Sequence, residues 1–341
     1  MLEKIILESK IQKVKKDLDK VDKIVIITHV SPDGDALGSS LGLYHFLIQL
    51  GKSVNVLVPN NFPRFLAWMK GAGDVTVGDR KPDLAQELLS GAELIFCLDF
   101  NGLKRVAQLA SFLAESKAKK IMVDHHPEPE DFCDLVISHP EISSTSELVF
   151  RLICRMGMFD YIDKHTAECI YTGMMTDTGA FTFNSNSAQI YFIISELLRK
   201  GINKDQIYDR VYNNYSESRV RLKGYVLYEK MKLFSEYKTA LITLSKEEQQ
   251  RFQCEKGDTE GFVNIPLSIE GIVFSVFIRE ERDMIKISFR SKGNFPTNEF
   301  ASNVFQGGGH LNASGGEFYG KLEDAVTLFE QSLPKFKHLL V

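Results

Sequence analysis

Three short apolar runs in the first half of the chain end directly on ionisable side chains, and that pattern leaves few folds open. KIVIIT runs into His29, Asp33 and Asp35, LIFCL into Asp99, and KKIMV into Asp124, His125 and His126. Runs of this length, rich in Val and Ile and without polar alternation, suit strands buried on both faces. Helical patterns lie between them, ALGSSLGLYHFLIQLG and LKRVAQLASFLAES, together with a further strand, VNVLVP. Strands and helices in alternation form βαβ units, so the spacing predicts an α/β domain: a parallel sheet with helices on both faces. Ligands of such sheets collect beyond the carboxyl ends of the strands. The three ionisable clusters are thereby sent to one rim.

From about residue 143 the pattern turns helical, through SSTSELVFRLICRMG, TAECIYTGMMTDTGAF and SAQIYFIISELLRKG, with Gly201 as a C-cap. Asp177 falls within or just after the second of these helices. A charged stretch from 202 to 235 reads as helix with a connector near Asn213 to Arg219. Beyond it, KTALITL, GIVFSVFIRE and MIKISFRS read as strands, and EFASNVF and LEDAVTLFEQSLPKF as helices. The expected plan is an N-terminal catalytic domain over 1–200, a helical linker over 201–220, and a smaller α+β domain over 221–341. A length of 341 residues suits two domains.

Composition narrows the setting. The N-terminus reads as a charged amphipathic helix and no apolar run reaches membrane-spanning length, so no membrane association is expected. Five cysteines, odd in number, widely spaced and without a C-x-x-C pair, indicate neither a disulfide framework nor a zinc knuckle, and fit a reducing cytoplasm. A net charge of −4 argues against a protein that coats long nucleic acid. Most of that negative charge lies in the first half. Such a half can bind an anionic substrate when bound cations neutralise some of its carboxylates.

Each ionisable cluster alone has an ordinary structural reading. Asp35 could cap the helix after the Pro-Asp-Gly turn, Asp99 and Asp177 could cap or turn, and Asp124, His125 and His126 could be a satisfied polar group at a strand end. One structural explanation must then cover four separate clusters, whereas two cations explain them together. His29, Asp33, Asp35, Asp99, His125 and Asp177 are therefore the candidate metal ligands. A mixture of imidazole and carboxylate without thiolate suits Mn²⁺ better than Mg²⁺ or Ca²⁺, with other divalent ions open. Paired ions of this kind support displacement at phosphorus.

The motifs HVSPDGDALGS, CLDF, VDHHP and MTDTGAF, followed near the C-terminus by GGGH, resemble in content and order those of the DHH-family phosphoesterases with their associated substrate domain. The likeness spans nearly the whole chain. It implies that His29, Asp33 and Asp99 hold one metal and Asp35, Asp99, His125 and Asp177 the other, with Asp99 bridging. It also implies that His126 faces the substrate phosphate while Asp124 orients the imidazoles. Within the family, size and plan look most like the bifunctional oligoribonuclease and 3'-phosphoadenosine 5'-phosphate phosphatase group. That resemblance implies short RNA or DNA oligonucleotides and small nucleotides as partners, and a homodimer. The competing readings are a phosphodiesterase for linear or cyclic dinucleotides and a non-catalytic nucleotide sensor.

QGGGHLNASGG offers consecutive backbone N–H groups at Gly307, Gly308 and Gly309, which can cradle an anion, and His310 adds a donor. Arg290, at the end of MIKISFR, suits bidentate phosphate contact. These five are the candidate substrate-binding residues. Phe181, Phe183, Tyr212 and Tyr215 are read as core aromatics, and the basic face around Arg219, Arg221 and Lys223 as solvated.

Overall fold

A computed structural model describes residues 3–255 and 257–340, and the chain divides between Asn214 and Tyr215 into two compact units. The first opens with α1 (Glu8–Leu18) and holds six strands: β1 (Lys23–Thr28), β2 (Ser53–Val58), β3 (Thr76–Val77), β4 (Leu94–Leu98), β5 (Lys119–Asp124) and β6 (Leu135–Ser138). All run parallel, in the order β3-β2-β1-β4-β5-β6. Its remaining helices are α2 (Gly34–Gln49), α3 (Pro82–Gly91), α4 (Ala110–Glu115), α5 (Thr145–Arg155), α6 (Lys164–Asp177), α7 (Ala188–Arg199) and α8 (Lys204–Tyr212).

The continuous apolar runs are explained by burial on both sides. Ile24, Ile26, Leu94 and Phe96 join the core shared with α1, α2, α5 and α6, whereas Val25, Ile27, Ile95 and Cys97 join a second core with Ala85 and Leu89 of α3 and Leu113 of α4. Chain direction through the sheet reverses between β1 and β4, and at such a switch point the loops part and leave a crevice at the strand ends. His29 follows β1 there, and Asp99 follows β4.

Glycine brings α2 and α6 together. Gly34, Gly38 and Gly42 recur every fourth residue on one face of α2, opposite Gly173 of α6. A Cβ on Gly38 would lie 2.6 Å from the Cys169 carbonyl oxygen, and one on Gly173 would meet Ser146 and stand 2.8 Å from Asp35 Oδ1. The backbones thus approach too closely to admit a Cβ at these positions, which carries Asp35 on α2 toward Asp177 at the end of α6.

The second unit contains α9 (Glu217–Tyr225), β7 (Met231–Phe234), β8 (Thr239–Leu244), α10 (Lys246–Arg251), β9 (Phe274–Glu280), β10 (Ile285–Ser291), α11 (Thr297–Val304), β11 (Gly308–Gly309), β12 (Ala313–Phe318), α12 (Leu322–Ser332) and α13 (Lys337–Leu340). Its sheet runs β11-β12-β10-β9-β8-β7, and only β8 and β9 are parallel neighbours. Phe274, Phe289, Phe300 and Phe329 fill one face, while Ile242, Leu244 and Phe277 pack with Leu222, Val226 and Phe262 on the other. Among the described residues, no helix is long and apolar enough to cross a membrane.

Four details differ from the sequence reading. The span 201–220 is not a separate linker: Ile207 and Val211 of α8 are buried in the first core, and Leu222 of α9 is buried in the second unit. MKLF, expected in a helix, is β7, paired along β8. Arg219 is buried rather than solvated, because its guanidinium donates to the carbonyls of Gly257 and Glu260 and lies 4.1 Å from the Tyr215 ring centroid. Phe183 is 51% exposed, whereas Phe181 packs on Tyr171 as a core aromatic should.

Candidate metal centre

The six candidate ligands converge at the strand ends. Three groups place their ligand atoms within 4.8 Å of one another: His29, Asp33 and Asp99; Asp35, His125 and Asp177; and Asp99, His125 and His126. His29 Nε2 lies 3.4 Å from Asp99 Oδ2 and 4.0 Å from Asp33 Oδ1. His125 Nε2 lies 3.5 Å from Asp99 Oδ1 and 3.6 Å from Asp177 Oδ2. Asp99 therefore turns one oxygen to each group, from a backbone held at φ 64°, a left-handed conformation that Asp tolerates better than most residues.

The donors fit divalent cations. Two donors each about 2.1 Å from one ion stand roughly 3.0 to 3.5 Å apart at octahedral to tetrahedral angles. The His29–Asp99 and His125–Asp99 spacings match that better than a direct hydrogen bond. Tautomers agree: His29 Nδ1–H donates to the Val30 carbonyl at 2.9 Å and His125 Nδ1–H to the Ile142 carbonyl at 3.2 Å, so each ring presents Nε2. Anchoring the remote nitrogen is what metal-binding histidines usually require.

The electrostatics point the same way. Burial pushes the Asp35 carboxyl well above the usual carboxylate range, and the neighbouring charges of Asp99 and Asp177 push it further. Burial would also raise Asp99, but the close approach of His29 and the charges of the three surrounding imidazoles overcome this and hold it far below that range. Burial lowers His29, yet the close approach of Asp99 and the charges of Asp33 and Asp99 push it up to about 9. Carboxylates gathered this tightly call for positive charge, which protons supply only in part.

The ordinary alternative for Asp35, capping α2, falls instead to Asp33, whose Oδ1 accepts from the backbone N–H groups of Asp35 and Ala36 at 3.0 Å. Asp35 instead lies across the first turn of α5. Its Oδ2 accepts from the N–H of Thr145 at 2.6 Å and its Oδ1 from that of Ser146 at 2.8 Å, where the helix dipole favours an anion. Thr145 Oγ1 also donates to Asp99 Oδ1 at 3.0 Å. Buried Glu147 steadies this turn: it accepts from Ser143 Oγ at 2.7 Å and pairs with buried Arg151 at 2.7 Å. Sequence reasoning missed Thr145 and Ser146. The available signal was the S-x-x-E capping pattern at Ser144 and Glu147, which marks a helix start and says nothing of what the start binds.

Asp124 and His126 lie beside the cluster. His126 Nδ1–H donates to Asp124 Oδ1 at 2.8 Å, which fixes the orientation of the ring. Of the substrate-binding candidates in the second unit, Arg290 is paired with Ala313 across β10 and β12, and the His310 N–H donates to the Ala313 carbonyl at 2.8 Å. Both residues thus neighbour Ala313, one on either side of β12. Gly307 to Gly309 form an ordered hairpin edge rather than a slack loop. A Cβ on Gly309 would stand 2.7 Å from the Ala313 carbonyl oxygen, while Gly308 faces open space.

Residues 23–174 match the DHH family, N-terminal domain, and residues 236–335 match the DHHA1 domain. The bifunctional oligoribonuclease and PAP phosphatase NrnA of Thermus thermophilus is 32% identical over 300 residues, 87% of this chain and 84% of that protein. The chain belongs to the DHH family. It is accordingly a metal-dependent phosphoesterase, and its acidic and imidazole cluster is suited to metal binding. The NrnA of Bacillus subtilis is 28% identical over 87% of this chain and 90% of its own length. An exopolyphosphatase-related protein from Bacteroides fragilis superposes with a TM-score of 0.96 at 62% identity, covering 99% of both chains. RecJ of Thermus thermophilus, crystallised with Mn²⁺, has a TM-score of 0.54 at 14% identity over 96% of this chain and 55% of its own, a likeness of fold.

Proposed function

We propose that this DHH-family chain hydrolyses phosphoester bonds in very short oligoribonucleotides, releasing mononucleotides, and removes the 3'-phosphate of 3'-phosphoadenosine 5'-phosphate. The observation that carries the reading is the Asp99 carboxylate, which divides its oxygens between two groups of donors. Likeness to the two NrnA proteins over most of their length supports the substrate class.

In this reading His29, Asp33 and Asp99 hold one divalent cation, and Asp35, Asp99, His125 and Asp177 a second, with Mn²⁺ favoured by the donor chemistry. Two such ions supply Lewis acidity and a water-derived nucleophile near neutral pH. The protein's own groups do the rest. Thr145 and the α5 N-terminus keep Asp99 and Asp35 aimed. His126, its Nδ1–H tied to Asp124, offers Nε2 to a phosphoryl oxygen and stabilises charge there. Arg290, His310 and the backbone of Gly307 to Gly309 bind a phosphate or nucleotide of the substrate. The family resemblance adds a homodimer, which light scattering tests. The odd, widely spaced cysteines of the sequence favour a cytoplasmic setting.

The test is a side-by-side assay of the Mn²⁺-loaded protein on two- to five-residue RNA, longer RNA, linear dinucleotides, 3'-phosphoadenosine 5'-phosphate and pyrophosphate. Mononucleotides from the shortest RNA and AMP from the bisphosphate are expected. Folded, metal-loaded protein that leaves both intact overturns the reading. Linear dinucleotides turned over while three- to five-residue RNA stays intact would favour the dinucleotide phosphodiesterase.

A further inference from the structure

Directly after Asp177 the backbone makes an unusual turn. Gly179, Ala180 and Phe181 take φ of 54°, 58° and 62°, and Asn184 takes 44°. Left-handed backbone is unfavourable for residues that carry a Cβ, and runs of it persist only where surrounding bonds over-determine them. Here they do. The N–H of Ala180 donates to the Met175 carbonyl at 2.8 Å, and those of Thr182 and Phe183 both donate to the Thr178 carbonyl at 2.9 Å. Thr178 Oγ1 accepts from the Phe181 N–H at 3.0 Å and donates to the Met174 carbonyl at 2.6 Å. Thr182 and Ser185 hydroxyls close the loop on the carbonyls of Gly179 and Phe181, at 2.6 and 2.8 Å.

This ordered loop displays Phe183. Its backbone is bonded to the residue next to Asp177, its ring lies over Gly179, where a Cβ would stand 2.7 Å from Cδ2, and 51% of it remains exposed. Phe181, two residues earlier, is taken up by the core against Tyr171, with ring centroids 5.6 Å apart. The ring of Phe183 is backed by protein on one side and open on another. Exposed Asn184 and Asn186 follow it, side chains of the kind that hydrogen-bond base edges.

We propose that Phe183 is a stacking platform for a nucleobase of the substrate, a subsite that rests on the nucleotide reading above. A phosphoester centre alone has no use for an exposed planar ring, whereas a nucleotide carries its planar base one sugar away from the reacting phosphate. Stacking is indifferent to base identity, because every base offers a π face. Phe183 therefore lets the centre accept short RNA of any sequence while discriminating against phosphates that lack a base.

Two measurements test this. In the first, Phe183→Trp places an indole on the loop, with Trp68 as the sole native tryptophan for reference. AMP is expected to quench the new fluorescence and ribose 5-phosphate to leave it unchanged; equal effects from the two, or none from AMP, overturn the platform. This readout needs no turnover, so the platform stands or falls even when the hydrolase reading fails. In the second, KM for 5'-phosphorylated diadenylate is expected to rise about 5- to 150-fold in Phe183→Ala, the loss of one base–aromatic stack. The larger share of the loss should lie in KM rather than kcat, with Phe183→Tyr retaining most binding and Phe183→Leu resembling the alanine variant. KM for the abasic analogue should barely move. A leucine variant as good as the wild type, or equal losses on the abasic analogue, overturns the proposal while leaving the hydrolase reading intact.

Discussion

Thr145 donates its hydroxyl to Asp99 Oδ1 at 3.0 Å, across a sequence separation of 46. That oxygen belongs to a buried carboxylate and is the one turned toward His125. Removing the donor frees Asp99 to rotate between the two donor groups. Thr145→Val keeps the shape and loses the hydroxyl, and metal affinity is expected to fall about 10- to 100-fold, the usual cost of losing a bond that orients a ligand. Thr145→Ser should retain most of it. Titrating Mn²⁺ into the metal-free proteins by calorimetry gives the answer; equal affinities for the folded valine variant and the wild type would remove Thr145 from the site.

His126 depends on Asp124 in a different way. With Nδ1–H bound to a buried carboxylate, the imidazole is held in one orientation, which on the proposed reading aims it at a phosphoryl oxygen. Asp124→Asn is expected to lower kcat on short RNA about 10- to 100-fold while metal content, measured by elemental analysis, stays at the wild-type level. Loss of metal in parallel with loss of rate would show Asp124 supporting the ions instead.

The close crossing of α2 and α6 makes a stability prediction with a built-in control. Gly38→Ala would place its Cβ 2.6 Å from a backbone carbonyl oxygen, which cannot swing aside as a side chain can. The helices must part, at a cost of about 1–3 kcal/mol or more, and Asp35 and Asp177 part with them. Urea unfolding should show the lower midpoint, and metal binding should weaken. Gly91, at the end of α3 with open space around it, should accept Ala with little change.

Much of this site was legible because strand ends and helix ends concentrate their polar residues. Asp99 and Asp124 to His126 stand out against apolar runs that have no other reason to stop there, and a parallel sheet allows those stops only one rim. What pairs with them was not legible. Asp35 is held by backbone N–H groups 110 and 111 positions away, and a backbone donor leaves no trace in residue type. Which acid caps α2 was not legible either, because Asp33 and Asp35 flank the same helix start and only the helix boundary at Gly34 decides between them. β7 was hidden by the helical charge pattern around it, since MKLF pairs through its backbone while its side chains are largely exposed or half-buried. Phe183 was misread because spacing makes Phe181 and Phe183 look alike, whereas three successive left-handed residues send one inward and leave the other out.

The histidines give the metal-free protein a distinctive pH dependence. Burial disfavours the charged form of His29, but Asp99 and Asp33 prevail and push its pKa up to about 9, against 6.5 for an unperturbed imidazole. A base whose pKa rises on folding contributes stability that is complete below about pH 6.5 and disappears as the pH climbs through about 9. Asp35 acts in the same direction, because burial and the charges of Asp99 and Asp177 raise its carboxyl, so the folded state favours its proton and loses that advantage with rising pH. Asp99, held far below the carboxylate range, matters only in acid. The melting temperature of chelator-treated protein should therefore fall between pH 6.5 and 9. Saturating Mn²⁺ should raise it and flatten the slope, since cations then supply the charge that protons supplied before. A metal-free protein whose melting temperature is level across that range, or equally sloped with Mn²⁺ present, would show that His29 and Asp35 do not share their charge with bound ions.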